Sequence, residues 1–139
     1  MFPYISNSVD DTIAFGKKVA AHLNPGDVVA LYGNLGAGKT HFVKGIASGL
    51  GYTVAAVTSP TYTLISEHKG QLVDLYHFDA YRLRSAQEII DIGFIDYLGA
   101  EGICVLEWPE KVADVIPTDA IRIRVDYLGT ENERSFELH

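Results

Sequence analysis

The order of apolar and polar positions along the chain predicts alternating strands and helices. The runs at 28–31 and 102–106 are almost continuously apolar, which is typical of strands buried on both faces of a parallel sheet. Two stretches, 8–23 and the segment ending at Gly51, repeat apolar residues at the spacing of one helix face. The buried positions that we expect on these helices are Ile13, Gly16, Val19, Ala20, Leu23, Phe42, Val43, Ile46, Ala47 and Leu50. This pattern predicts an α/β fold with a mostly parallel central sheet flanked by helices.

β-rich runs also occur in pairs, and each pair predicts an additional antiparallel hairpin. The runs 63–67 and 72–78 are separated by four residues that include Gly70, and 120–127 with 134–138 form a second pair. Shorter elements are expected at 54–57 (strand) and at 85–90, 94–98 and 110–115 (helices). Because there are no repeats, linkers or low-complexity tracts, we predict a single domain over residues 1–139.

Residues 33–40, G-N-L-G-A-G-K-T, fit the pattern G-x-x-x-x-G-K-[ST] of phosphate-binding loops. The glycines allow successive backbone N–H groups to point at phosphate oxygens, and the helix that follows places its N-terminus there. In such loops the lysine reaches the β- and γ-phosphates and the hydroxyl residue binds Mg²⁺. The candidate nucleotide-binding residues are Gly33, Asn34, Leu35, Gly36, Ala37, Gly38, Lys39 and Thr40, with Lys39 also catalytic and Thr40 a metal ligand. The loop predicts a P-loop NTPase-type fold.

Two acidic residues stand where predicted strands end, which is where ligands of open α/β sheets collect. Glu107 ends the most apolar strand, and Asp79 follows the run 72–78. We expect Glu107 to bind Mg²⁺ directly or through water. Asp79 could orient the attacking water or bind a metal-bound water. Each could instead cap a loop N–H.

Four further features carry open alternatives. The loop 58–61 could bring the Thr61 hydroxyl to the metal, or its hydroxyls could satisfy their own backbone. Arg82 could stabilise transition-state charge or pair with a surface carboxylate. Trp108, at a strand exit, is expected near the site, where it could stack on a base or a partner, although it could simply pack. The histidines lack zinc-like spacing, so we expect His77 to be a hydrogen-bonded structural residue.

Composition narrows the function class. The 139 residues are 47% hydrophobic and carry a net charge of −7, which does not indicate a nucleic-acid binder. The single cysteine, Cys104, lies in an apolar run and is expected to be buried. We expect a cytoplasmic protein, because neither a signal peptide nor a membrane-length apolar stretch is evident. The absence of an [NT]-K-x-D motif favours adenine over guanine.

Together the motifs resemble one family, TsaE, the bacterial ATPases required for N6-threonylcarbamoyladenosine in tRNA. The resemblance rests on the loop 33–40 with V-T-S-P-T-Y at 57–62, H-F-D-A-Y-R-L at 77–83 and L-E-W-P at 106–109. It extends almost from end to end of the chain. Two residues depart from the pattern that we expect: Asn34 stands in place of aspartate and His41 in place of a small hydroxyl residue.

The resemblance implies roles for residues and partners for the chain. It implies ATP or ADP and Mg²⁺ as cofactors, with Lys39 and Thr40 on phosphate and metal, Glu107 on the metal, and Asp79 near the γ-phosphate. It also strengthens the expectation for Thr61 and Trp108, and it adds the nucleoside-side residues Thr12 and Arg134. The implied partners are TsaD and TsaB, with tRNA reached through them and no membrane involved. Two other functions remain open: a nucleotide-dependent binding module, and a small-molecule kinase with Asp79 as base.

Overall fold

The computed structural model describes residues 1–34, 38–52, 65–68, 73–81, 83–91, 93–98, 101–130 and 132–139, with only the backbone given at 65–68. The chain divides into two compact units. The first contains Met1–Leu23, Gly33–Ser59 and Ile123–His139, and the second contains Asn24–Tyr32 and Pro60–Arg122. That the chain folds as one domain stays a prediction.

Strands and helices alternate as expected. In chain order they are β1 (Tyr4–Ser6), α1 (Val9–Ala20), β2 (Val28–Tyr32), α2 (Lys39–Gly49), β3 (Ile65–His68), β4 (Leu75–Asp79), α3 (Ala86–Asp91), α4 (Phe94–Leu98), β5 (Ile103–Glu107), a 3₁₀ helix (Pro109–Val115), β6 (Ile121–Tyr127) and β7 (Arg134–Leu138). The predicted strand at 54–57 lies outside the described residues. β1 was not predicted, and the helix expected at 110–115 is 3₁₀ with a break at Val112.

In the first unit, α1 begins where the sequence predicted. The Ser8 hydroxyl accepts a hydrogen bond from the Asp11 N–H at 2.9 Å, and acidic residues occupy the first turn. The helix ends at Ala20 rather than at Leu23, because the His22 and Leu23 N–H groups bond three residues back and tighten the chain into a turn. Leu23 is therefore only partly buried.

α1 and α2 pack closely through glycines that lie between their backbones. A Cβ at Gly45 would overlap the carbonyl oxygen of Ile13, and one at Gly16 would lie 2.5 Å from the carbonyl oxygen of Phe42. Below these helices, Phe15, Phe42 and Phe136 form an aromatic cluster against β7. β7 pairs antiparallel with β1 on one side and β6 on the other, which confirms the closing hairpin.

In the second unit, the strand order is β2-β5-β4-β3. β2 and β4 both run parallel to β5, and β3 closes the predicted hairpin antiparallel to β4. All five residues of β5 are buried, as its continuous apolar run indicated. One face of these strands packs on α3, α4 and the 3₁₀ helix around Phe78, Phe94 and Leu106. The α/β class is confirmed, with a parallel centre and additional antiparallel hairpins.

Candidate functional site

The glycine loop connects the end of β2 to the start of α2. Residues 35–37, with the candidates Leu35, Gly36 and Ala37, lie outside the described residues. Gly38 has φ 95°, a left-handed conformation that L side chains rarely adopt. A Cβ there would lie 3.5 Å from the side chain of Arg134. Gly38 therefore provides the left-handed turn into α2, and the Arg134 side chain lies beside it.

Lys39 is buried at the first position of α2. Only 5% of its surface is exposed, and its ammonium donates a hydrogen bond to the carbonyl oxygen of Gly33 at 2.6 Å. The Phe42 N–H donates the first hydrogen bond of the helix, to the Gly38 carbonyl oxygen. The N–H groups of the preceding residues in the first turn have no acceptor within the helix. With neither a side-chain cap nor an acid in that turn, the helix presents its positive end.

Arg134 adds positive charge at the same place in the first unit. Its guanidinium lies 4.6 Å from the centre of the Tyr127 ring, and it donates to the Glu133 carbonyl at 2.9 Å. The pKa of the neighbouring His41 is lowered by burial and, to a smaller extent, by the charges of Lys44 and Arg134. The start of α2 is therefore a cationic environment, which favours an anionic ligand.

Thr12, the other expected nucleoside-side residue, is held by a strand that was not predicted. Its hydroxyl lies 2.5 Å from the Ser6 hydroxyl, and both side chains are buried. Ser6 donates its only hydroxyl proton to the Ser8 carbonyl at 2.9 Å, so Thr12 donates to Ser6. Ser6 is a supporting residue that sequence reasoning missed, because the three-residue β1 carries little pattern of its own.

In the second unit, the two candidate acids lie side by side. Asp79 and Glu107 are register partners at the carboxyl ends of the parallel strands β4 and β5. Asp79 is half-buried and accepts a hydrogen bond from the Tyr81 N–H at 2.9 Å, which is the capping contact considered as its alternative role. Glu107 is only 4% exposed. Its Oε2 lies 2.6 Å from Nε2 of His77, a fully buried residue that sequence reasoning treated as structural.

Trp108 follows Glu107 in an unusual backbone conformation. It has φ 58° and ψ 49°, and it is the non-glycine residue with positive φ in the part of the chain that the structure describes. Such a conformation costs about 1–2 kcal/mol outside glycine. Its ring lies 4.9 Å from the Tyr81 ring and packs on the second unit's hydrophobic cluster. Trp108 is therefore both a packing residue and a neighbour of the two acids along the strand ends.

Comparison with known proteins decides the family. The sequence model described as "Threonylcarbamoyl adenosine biosynthesis protein TsaE" matches residues 6–136. The chain belongs to the TsaE family. It is 44% identical over 128 residues to the tRNA threonylcarbamoyladenosine biosynthesis protein TsaE of Treponema pallidum, covering 92% of this chain and 93% of that one. The Bacillus subtilis protein of the same name is 40% identical, over 88% of this chain and 75% of its own.

A solved structure agrees with the family assignment. The crystal structure of YdiB from Bacillus subtilis superposes with a TM-score of 0.80 and 33% identity, over 97% of this chain and 82% of that one. The TsaE resemblance inferred from the motifs is therefore confirmed. The family role is in the biosynthesis of threonylcarbamoyladenosine in tRNA.

Several predicted site residues remain predictions. Thr61, the loop 58–61 and Arg82 lie outside the described residues. Gly33, Asn34, Thr40 and the start of α2 belong to the first unit, whereas Asp79, Glu107 and Trp108 belong to the second. Among the described residues, no group of three or more His, Cys, Asp or Glu side chains could hold a metal alone. None of the described helices combines the length and the apolar character that a membrane crossing requires.

Proposed function

We propose that this TsaE-family chain is a Mg²⁺-dependent ATPase whose hydrolysis serves threonylcarbamoyladenosine formation in tRNA, acting with TsaD and TsaB. The observation that carries the proposal is the buried Lys39, at the positive end of α2, bonded back to Gly33 across a loop of phosphate-binding sequence. From the family role in tRNA modification we also infer a cytoplasmic protein, which reaches tRNA through its partners.

The electrostatics of the first unit support triphosphate binding. Burial of an ammonium is costly in water-poor surroundings, and a phosphate would supply a full negative charge close to Lys39. The positive end of α2 and the nearby Arg134 act in the same direction. We assign the loop residues 33–40 to the phosphates, and Thr12, Arg134 and Trp108 to the nucleoside side.

The residues also fit Mg²⁺ in their chemistry. Mg²⁺ in nucleotide sites takes one or two protein oxygens and completes its shell with phosphate oxygens and water, so it requires no all-protein cage. We assign the Thr40 hydroxyl, the Glu107 carboxylate and the Thr61 hydroxyl to it. Of the Glu107 oxygens, Oε2 is bonded to His77, and among the described residues Oε1 has no hydrogen-bond partner. When bound, the metal neutralises charge on the β- and γ-phosphates.

Asp79 has a different proposed task from Glu107. Asp79 is more exposed to solvent than Glu107, and its Oδ1 accepts a hydrogen bond from the Tyr81 N–H. Its carboxylate is therefore oriented but still accessible to solvent. A carboxylate of this kind can accept a hydrogen bond from the attacking water and hold it in line with the γ-phosphate. Lys39 holds the phosphate group that is transferred.

ATP turnover tests the proposal. Purified chain is assayed with ATP and Mg²⁺, alone and with TsaD and TsaB, and turnover is expected to rise with the partners. Lys39→Ala should abolish ATP binding, whereas Lys17→Ala, which removes an exposed charge from α1 in the same unit, should leave binding intact. Unchanged turnover with the partners, together with no co-migrating complex, would refute the proposal that ATP hydrolysis by this chain serves the tRNA-modifying complex.

A second measurement separates the alternatives. Glu107→Ala, with ATP binding retained, is added to the complete tRNA-modifying system. Loss of modified tRNA supports a requirement for hydrolysis. Continued modification would favour the nucleotide-dependent binding module, and phosphate transferred to an acceptor other than water would favour the kinase.

A further inference from the structure

His77 occupies the same face of β4 as Asp79, because side chains alternate along a strand. It is register partner to Val105, two residues before Glu107 on β5. This diagonal placement brings its imidazole to the Glu107 carboxylate, with 2.6 Å between Nε2 and Oε2. Both side chains are almost completely shielded from solvent. The pairing register of β4 and β5 therefore determines this contact.

The direction of this hydrogen bond follows from the donors present. A carboxylate only accepts, so the His77 Nε2–H donates to Glu107. The other ring nitrogen, Nδ1, is buried and has no hydrogen-bond partner among the residues that the structure describes. A buried N–H without an acceptor is rarer and costlier than an unused lone pair, which indicates the tautomer with its proton on Nε2.

The bond restrains a side chain that would otherwise be adaptable. Glutamate has three rotatable side-chain bonds, and the His77 contact is the hydrogen bond that the structure gives the Glu107 carboxylate. Pinning Oε2 fixes the plane of the carboxylate and leaves Oε1 as its open oxygen. Partners that orient a metal-binding carboxylate typically change metal affinity or activity by about 10–100-fold.

We propose that His77 is a positioning residue, which holds Glu107 through the Nε2–H···Oε2 hydrogen bond so that the carboxylate is preset to bind Mg²⁺ with the nucleotide. The inference rests on the proposed metal role of Glu107. His77 itself contacts neither metal nor nucleotide in this assignment.

The test measures ADP affinity by calorimetry with Mg²⁺ and with EDTA, in His77→Gln and its matched control His77→Asn. Glutamine places an amide nitrogen near the position of Nε2, whereas asparagine places one near Nδ1. We expect His77→Asn to lose about tenfold of the gain in affinity that Mg²⁺ provides. His77→Gln should keep most of that gain, and both should bind ADP normally in EDTA. A full Mg²⁺ gain in His77→Asn, or an equal loss in both variants, would overturn the proposal.

Glu107→Gln separates this inference from the function on which it rests. If it keeps the full Mg²⁺ gain, the metal role of Glu107 fails, and the role of His77 fails with it. If it loses the gain while His77→Asn keeps it, only the role of His77 fails.

A measurement on the unsubstituted protein tests the proposal even if the variants do not fold. The His77 Nε2–H signal, followed by ¹H–¹⁵N NMR, should shift when Mg²⁺ is added to the ADP complex but not when ADP is added alone. A signal that Mg²⁺ leaves unmoved would contradict the proposal.

Discussion

The contact between α1 and α2 makes a quantitative prediction for Gly45→Ala. The new Cβ would overlap the Ile13 carbonyl oxygen and lie 2.9 Å from the Cα of Gly16, so it meets backbone that no rotamer change can move. An ordinary contact begins at 3.4 Å, and the closer of the two contacts, that with the Ile13 carbonyl oxygen, requires the helices to separate by about 1 Å. A gap of about 0.5–1 Å forfeits roughly a quarter to a half of the dispersion energy of each contact across the seam.

The net magnitude follows from two opposing effects. Overpacking of this kind costs about 1–3 kcal/mol, and alanine regains about 1 kcal/mol of helix propensity over glycine. Because backbone confronts the new methyl group on the facing helix, we take the upper end of the cost. We therefore expect Gly45→Ala to lower the free energy of unfolding by about 2 kcal/mol.

Urea denaturation followed by circular dichroism measures this change. Ala14→Gly is the matched control, because Ala14 is exposed in the middle of α1 and reports the alanine–glycine difference without packing. It should cost about 1 kcal/mol. A Gly45→Ala protein as stable as the parent would refute the close approach of the two helices.

Three further predictions concern single groups. Trp108→Gly should be about 1 kcal/mol more stable to urea than Trp108→Ala, since both lose the ring but only glycine relieves the left-handed backbone; equal stabilities would contradict this. The pKa of Asp11 is lowered mainly by the hydrogen bond from Tyr4 and to a smaller extent by that from the Asn7 N–H. The ionised carboxylate therefore stabilises the fold above its unfolded pKa, and this contribution is lost as pH falls below about 4. Thermal melts of Tyr4→Phe from pH 6 to pH 2 should therefore show a smaller acid-side loss than the parent, and an unchanged profile would count against the bond. Burial raises the pKa of Cys104 to about 12, so the native protein should not react with a disulfide reagent at pH 8 until urea unfolds it; rapid labelling of native protein would contradict its burial.

The sequence predicted the elements whose signal is local. The Ser8 cap, the apolar face of α2 and the continuous run of β5 each depend on residues close together in the chain, and the structure bears them out. β1 has three residues, and its identity as a strand comes from pairing with β7, more than a hundred residues away. No local pattern could indicate that pairing.

The candidate site shows the same division between local and long-range information. The positions of Asp79 and Glu107 at strand ends could be predicted, because a buried strand and its terminus are local features. The contact of His77 with Glu107 spans 30 residues and exists only because β4 and β5 pair in one particular register. A shift of one residue would turn His77 to the opposite face of the sheet. The contact of His77 with Glu107 was therefore visible only in the structure.

Asp79 and Glu107 are neighbouring carboxylates that differ in burial and in hydrogen-bond partner. Like charges on adjacent strands repel each other, and hydrogen bonds donated to each carboxylate offset part of that cost. Here one carboxylate is buried and accepts a hydrogen bond from an imidazole N–H, and the other is more accessible and accepts one from a backbone N–H. A buried, fixed oxygen suits a ligand that must not move, whereas an accessible one suits exchange with water. The difference in anchoring supports Glu107 for the metal and Asp79 for the attacking water, and not the reverse.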